Sequence, residues 1–137
     1  MRTLGLDVGN RRIGISISDG IGIIASPLGY ITRTVQSEDV FAILREAAHH
    51  GVGHIIIGIP FLANGSIGEQ ARLVNKFRCE LQAQTDLLIS TWDERYSTIE
   101  AERLLREVGR KPSREKGKVD AAAAAVILQS YLDQQRS

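Results

Sequence analysis

Cysteine is nearly absent from this sequence. Cys79 is the single one among 137 residues, so no intramolecular disulfide can form and the chain must be held by its core. On the helix expected around it, Cys79 lies off the apolar stripe, which makes it a surface thiol rather than a nucleophile. The three histidines, His49, His50 and His54, fall at a helix end and a strand start with no cysteine partner, which argues against zinc and leaves surface and capping roles. There is no N-terminal apolar segment with a cleavage site and no run approaching about 18 apolar residues, so the expectation is a soluble cytoplasmic protein with no membrane partner. An excess of one charge is also missing. Seventeen Lys and Arg against sixteen Asp and Glu leave +1, and a polyanionic partner would have to be met by a local patch. Aromatics make up only 5%, but 43% of the residues are hydrophobic, enough for one core; residues 1–137 read as a single domain without repeat or linker.

What the sequence does have is an acid inside an otherwise apolar strand. In LGLDVGNRRIGISISD, positions 4–19, Leu4, Leu6 and Val8 alternate with Gly5 and Asp7, the period of a strand with two distinct faces. An ionised carboxylate taken out of water costs several kcal/mol, roughly, unless it is compensated, so a cation is expected beside Asp7. Gly9-Asn10 predicts a hairpin turn of the primed type, and Ile13, Ile15 and Ile17 alternate in the second strand. Arg11 and Arg12 follow the turn and are placed to hold a phosphate against a metal-loaded Asp7.

The rest of the chain alternates helix and strand signals. Ile21 to Ile31 predicts a third strand, and Pro27 puts it at the sheet edge. Ser37 is the expected N-cap of a helix whose face is Val40, Ile43, Leu44 and Ala47, ending at Gly51. His54 to Ile59 is a short apolar run of the kind buried on both faces of a parallel sheet. Ser66 and Glu69 have capping-box spacing before a helix with Leu73, Val74, Phe77 and Leu81 as its buried stripe. Asp86 to Thr91 predicts a fifth strand that runs into WDERYST. Ser97 and Glu100 then cap a helix bearing Ala101, Leu104, Leu105 and Val108, ended by Gly109. The segment 109–118 holds Arg110, Lys111, Arg114, Lys116 and Lys118 against the single acid Glu115, and is expected to be a mobile basic loop. A last helix begins at KVDAAAAAV with Asp120 in its first turn, its alanines permitting close approach to the sheet.

Three regions far apart in sequence thus place an acid at an element end: Asp7, Asp93 or Glu94, and Asp120. Taken singly, each has a plain structural role, such as an ion pair between Glu94 and Arg95 or a helix-start acid at 120. Together they describe a site for a hard cation such as Mg²⁺, which takes carboxylate and phosphate oxygens and keeps several waters. Two such ions about 3.5–4 Å apart serve in-line phosphodiester hydrolysis. Keeping three mutually repelling carboxylates favours a nuclease over a silent nucleic-acid-binding module.

LGLDVGNRRIGISISD, IIIGIPFLANGSIGEQA, DERYST and KVDAAAAAVILQSYL resemble, in order and spacing, the four motif blocks of the YqgF nuclease family, the bacterial pre-16S rRNA nucleases also described as Holliday-junction-resolvase-like proteins. The resemblance covers nearly the whole chain. It implies an α/β ribonuclease H-like fold, with a mixed five-stranded sheet of three antiparallel and then parallel strands flanked by helices. It implies Mg²⁺- or Mn²⁺-dependent cleavage that matures the 5′ end of 16S rRNA, within ribosomal precursor particles. By position, Asp7, Glu94 and Asp120 match the family's acids, while Asp93 fits a capping role better. Arg11, Arg12, Arg95, Arg110, Lys111, Arg114, Lys116 and Lys118 are the expected substrate-binding cations. Where members of the family often have Met-Asp-Gly, this chain has Ala63-Asn64-Gly65, so no ligand is assigned there. Structured RNA and branched DNA both remain open as substrate, and monomer and homodimer both remain open as assembly.

Overall fold

The structure is a computed structural model that describes residues 1–62, 64–96 and 116–136. Its elements are β1 (Arg2–Val8), β2 (Arg12–Ser18), β3 (Ala25–Thr32), α1 (Gln36–His49), β4 (Val52–Ile59), α2 (Glu69–Ala83), β5 (Leu88–Asp93), a 3₁₀ turn (Glu94–Tyr96) and α3 (Lys116–Arg136). The helix expected over 97–109 and residues 109–115 of the basic segment lie outside the described residues.

The strands form one sheet in the order β3-β2-β1-β4-β5. β1 runs antiparallel to β2 and β2 to β3, whereas β4 lies parallel to both β1 and β5. Period-two alternation decides what each face carries. Leu4, Leu6 and Val8 point to one side, where they join Ile13, Ile15, Ile55, Ile57 and Ile59 under the apolar faces of α1 and α2. The opposite side is covered by α3, where Ile127, Leu128 and Leu132 meet Ile56. β4 is therefore apolar on both faces, as its unbroken isoleucine run predicts.

α3 comes unusually close to the sheet. Ala121, Ala122 and Ala124 face it, and the strands answer with Gly5 and Gly14. A Cβ at Gly5 would lie 2.8 Å from Leu128 Cβ, and one at Gly14 would overlap the Asp120 carbonyl. Buried Ser16 donates its hydroxyl to the Ala124 carbonyl at 2.7 Å and ties the helix to β2.

Several local expectations are corrected. The β1–β2 turn is not of the primed type, because the only positive φ values among the described residues belong to Gly22, Gly51 and Gly65. β3 starts at Ala25, which leaves Ile21 and Ile24 exposed in the preceding loop. β5 starts at Leu88 rather than Asp86. Ser37 does not cap α1; Val35 takes the N-cap position and the first-turn Asp39 accepts from Thr34 N at 3.0 Å. Ser66 does not cap α2 either. Its N–H and hydroxyl both donate to Asn64 Oδ1, and Gly68 precedes the helix. Leu73 is 42% exposed; one position round from Val74 on a helix is a rotation of about 100°, enough to leave the stripe, which Ala71 completes instead. His54 is no simple surface residue, since its Nε2 lies 2.8 Å from Ser90 Oγ and its ring meets Tyr131 edge-on. No described helix is long and apolar enough to cross a membrane.

Candidate active site

Asp7 lies near the end of β1, on the α3 side of the sheet. Its neighbour on β2 is Gly14, and one step beyond the Leu6–Ile57 pair on β4 comes Gly58. Each flanking strand thus lacks a side chain beside the acid, and a second acid lies over each gap. The Asp120 backbone sits on Gly14, while a Cβ at Gly58 would be 3.1 Å from Glu94 Cγ. The sheet, the 3₁₀ turn after β5 and helix α3 therefore bring Asp7, Glu94 and Asp120 to one place.

The electrostatics register this convergence. Burial first, and then the nearby Asp120 charge, push the Asp7 pKa up to about 6. Burial, followed by the Asp7 and Asp93 charges, pushes Glu94 up to about 7. The cation expected beside Asp7 is found on a different acid. Arg12 Nε contacts Asp120 Oδ2 at 2.6 Å, so Asp120 is neutralised locally while Asp7 and Glu94 face each other. Among the described residues, no three His, Cys, Asp or Glu are gathered closely enough to hold a metal ion. Asp7 and Glu94 still offer the hard oxygen donors that Mg²⁺ or Mn²⁺ prefers, so the donor set fits such an ion even though Asp120 is turned to Arg12.

Asp120 is not in the first turn of its helix, because α3 begins at Lys116 and carries no acid in that turn. Lys116 to Lys118 are correspondingly helix rather than loop, with Lys118 exposed. Arg110, Lys111 and Arg114 lie outside the described residues. Arg11 is exposed on the β1–β2 turn. Arg95 does not pair with Glu94; it forks onto Asp93, with Nη2–Oδ2 at 2.6 Å, while Asp93 Oδ1 also accepts from Arg95 N at 2.9 Å. These bonds hold the Asp93 carboxyl below the usual range and leave Glu94 without an ion pair among the described residues. Trp92 packs on Tyr131 and donates to Ser130 at 3.1 Å, on the core side of the strand.

Two features were not foreseen. One is the pair of glycines, for which the signal was a lone Gly inside each strand pattern, in IGIS and in IIIGIP. The other is Arg33. Its Nε meets the buried Asp39 at 3.2 Å, its Nη1 donates to Gly9 O at 3.1 Å, its backbone N donates to Arg11 O at 2.8 Å, and its guanidinium lies over Phe77. The turn, closed by Gly9 N donating to Arg12 O at 2.9 Å, is thereby pinned from outside as well, and with it the two arginines it presents.

Comparison with known proteins follows the same lines. Residues 1–134 match the family profile described as "RuvX: Holliday junction resolvase". A protein from Synechococcus sp. strain JA-2-3B'a(2-13), named "Putative pre-16S rRNA nuclease", is 45% identical over 137 residues, covering 100% of this chain and 81% of its own. One of the same name from Chloroflexus aurantiacus strain J-10-fl is 39% identical over 134 residues, 98% of this chain and 88% of its own. Among solved structures, Thermus thermophilus RuvC in complex with a Holliday junction superposes with a TM-score of 0.65 at 12% identity, covering 100% of this chain and 98% of that one. At that identity the likeness is one of fold, and it carries the ribonuclease H-like, mixed five-stranded architecture. With the profile spanning nearly every residue and relatives this similar over their length, the chain belongs to the RuvX family of YqgF-type pre-16S rRNA nucleases.

Proposed function

We propose that this chain is a metal-dependent phosphodiester hydrolase that trims the 5′ end of precursor 16S rRNA in the cytoplasm, with Asp7, Glu94 and Asp120 as its catalytic and metal-holding acids. The observation that carries this reading is the paired gap: Gly14 and Gly58 flank Asp7, the first admitting the Asp120 backbone and the second admitting Glu94 alongside Ile127. A fold that needed only stability would not clear space to press carboxylates together, since each buried charge without a partner costs several kcal/mol, roughly.

A bound Mg²⁺ or Mn²⁺ supplies charge neutralisation for the phosphate and a more acidic water. The chain's own residues do the rest. Asp7 and Glu94 hold protons more tightly than ordinary carboxylates, so both are ready to exchange them for a cation as pH passes neutrality. Arg12, 2.6 Å from Asp120, is placed to move between that carboxylate and a phosphate oxygen. Arg11 beside it on the turn, Arg95 and Lys118 offer positive charge for the polyanion, and Arg110, Lys111, Arg114 and Lys116 are the further cations assigned to substrate binding.

The test is cleavage of a precursor RNA carrying the 5′ leader, in parallel with a four-way DNA junction, with and without Mg²⁺. We expect leader removal that disappears in chelator and in Asp7→Asn. Efficient junction resolution with no action on the RNA would replace the substrate half of the reading, and an Asp7→Asn protein that cleaves at the wild-type rate would overturn the site.

A further inference from the structure

Between the outer face of α2 and the edge strand β5 runs an open groove of about 610 Å³. One wall is a stripe on α2, Arg72, Asn75, Arg78 and Gln82, spaced three or four residues apart so that each turn of the helix presents one side chain to it. The stripe contains no acid. Arg78 donates to Asn75 Oδ1 and to Gln82 Oε1, both at 2.9 Å, which fixes the guanidinium without cancelling its charge. Neither Arg72 nor Arg78 pairs with a carboxylate among the described residues. The floor is apolar, with Phe61, Ile67 and Ile89, and Ile67 stands 57% exposed.

The groove lies on the α2 face of the sheet and Asp7 on the α3 face, and the two meet at the C-terminal end of β5. Ile59 and Thr91 line the groove's upper end, Ile59 is the register partner of Asp93, and the Arg95 guanidinium lies 5.5 Å from the Phe61 ring. Glu94 is thus one residue beyond the strand that forms the groove's second wall.

We propose that this groove is a binding site for the unpaired RNA strand that flanks the scissile phosphate, with Arg72 and Arg78 taking its phosphates and the apolar floor taking base faces. The inference rests on the nuclease reading and adds to it where the substrate runs. Two cations on successive turns without acids between them suit a polyanion rather than an acidic side chain or a small metabolite. The exposed apolar floor decides between single strand and duplex: a duplex keeps its base faces stacked inside, whereas an unpaired strand presents them to apolar and aromatic surfaces. The carboxamides of Asn75 and Gln82 supply both donors and acceptors, which suits base edges without dictating a sequence.

The experiment compares the unsubstituted chain with Arg72→Gln/Arg78→Gln, both changes on exposed or half-exposed positions of a helix. Fluorescence anisotropy with an oligouridine of about ten nucleotides, in chelator and over a range of salt, should show affinity falling about tenfold and the salt slope flattening by about 1.4, two phosphates at about 0.7 each. Cleavage of a fully paired substrate lacking the flank should be unchanged, while KM for the flanked one rises. If affinity and slope match those of the unsubstituted chain, the proposal is overturned and the groove serves another partner, such as a protein. An unsubstituted chain that cleaves no nucleic acid refutes the nuclease reading instead, and a chain that cleaves normally while the double variant behaves like it refutes the groove alone.

Discussion

Replacing Asp7 by Asn should stabilise the metal-free protein. The Asp7 pKa is pushed from 3.8 to about 6, chiefly by burial and next by Asp120. A rise of about two pH units at about 1.4 kcal/mol each corresponds to about 3 kcal/mol of folding free energy spent on ionising this one group. Glu94, pushed from 4.5 to about 7 by burial and then by the Asp7 and Asp93 charges, is coupled to Asp7, so the two are not summed. Asn keeps the shape, loses the charge and still carries some desolvation cost, so the net gain expected above pH 7 is about 1–3 kcal/mol, or about 3–10 °C in Tm for a chain of this size.

The sign follows from which state holds the proton. An acid whose pKa is raised by folding binds its proton more tightly in the folded state, so its contribution is intact at low pH and is lost as pH climbs from 3.8 to about 6 for Asp7, and from 4.5 to about 7 for Glu94. The difference between Asp7→Asn and the parent should therefore be near zero at about pH 4 and level off above pH 7. Urea denaturation in EDTA at stepped pH measures it. A destabilised variant, or a difference that does not change with pH, would refute the claim that Asp7 is an uncompensated buried charge.

Calcium should support RNA binding but not cleavage, because it fills the oxygen site at longer and looser distances; equal rates in Ca²⁺ and Mg²⁺ would argue against the metal-dependent reading. Gly14→Ala should cost about 1–3 kcal/mol and lower cleavage at least about tenfold by forcing the Asp120 turn off the sheet, whereas Gly29→Ala, with nothing within 4 Å, should change neither stability by more than about 0.5 kcal/mol nor activity. Arg33→Met should destabilise by about 3–5 kcal/mol in chemical denaturation, because it strands the 2%-exposed Asp39; Arg33→Met/Asp39→Asn should recover most of that loss. If the double variant is no more stable than the single one, the uncompensated Asp39 charge is not the source of the loss.

The fold was legible because the two periodicities hardly conflict in this chain. Leu4-Leu6-Val8 and Ile13-Ile15-Ile17 alternate cleanly, the His54–Ile59 run can only be a strand buried on both sides, and Val40-Ile43-Ala47 repeats at helical spacing. What failed was local. Ser37 and Ser66 sit where hydroxyl caps are usual, but Asp39 is taken up by Arg33 and Thr34, and Ser66 by Asn64, contacts made by residues that propensity treats as independent. Gly9-Asn10 has the composition of a primed turn, yet Arg33 reaches across from the end of β3 and holds the carbonyls of Gly9 and Arg11. Local side-chain contacts displaced the two expected caps, and a tertiary contact holds the turn at Gly9-Asn10.

The site was legible in its identities and not in its pairings. Any acid at a strand or helix end can be named from sequence, but which cation each one finds depends on distances set by packing. A cation was expected beside Asp7, yet Arg12, five residues away along the hairpin, sits on Asp120, 108 residues away. That exchange follows from the glycines. With no side chain at position 14, α3 descends until the Asp120 backbone rests on β2, the strand that begins with Arg12, and the two side chains meet. Asp7, on the next strand inward, is left with acids on both sides. Two residues without side chains thus decide where three carboxylates and an arginine lie, and a substitution at either glycine should disturb the chemistry more than its distance from any phosphate would suggest.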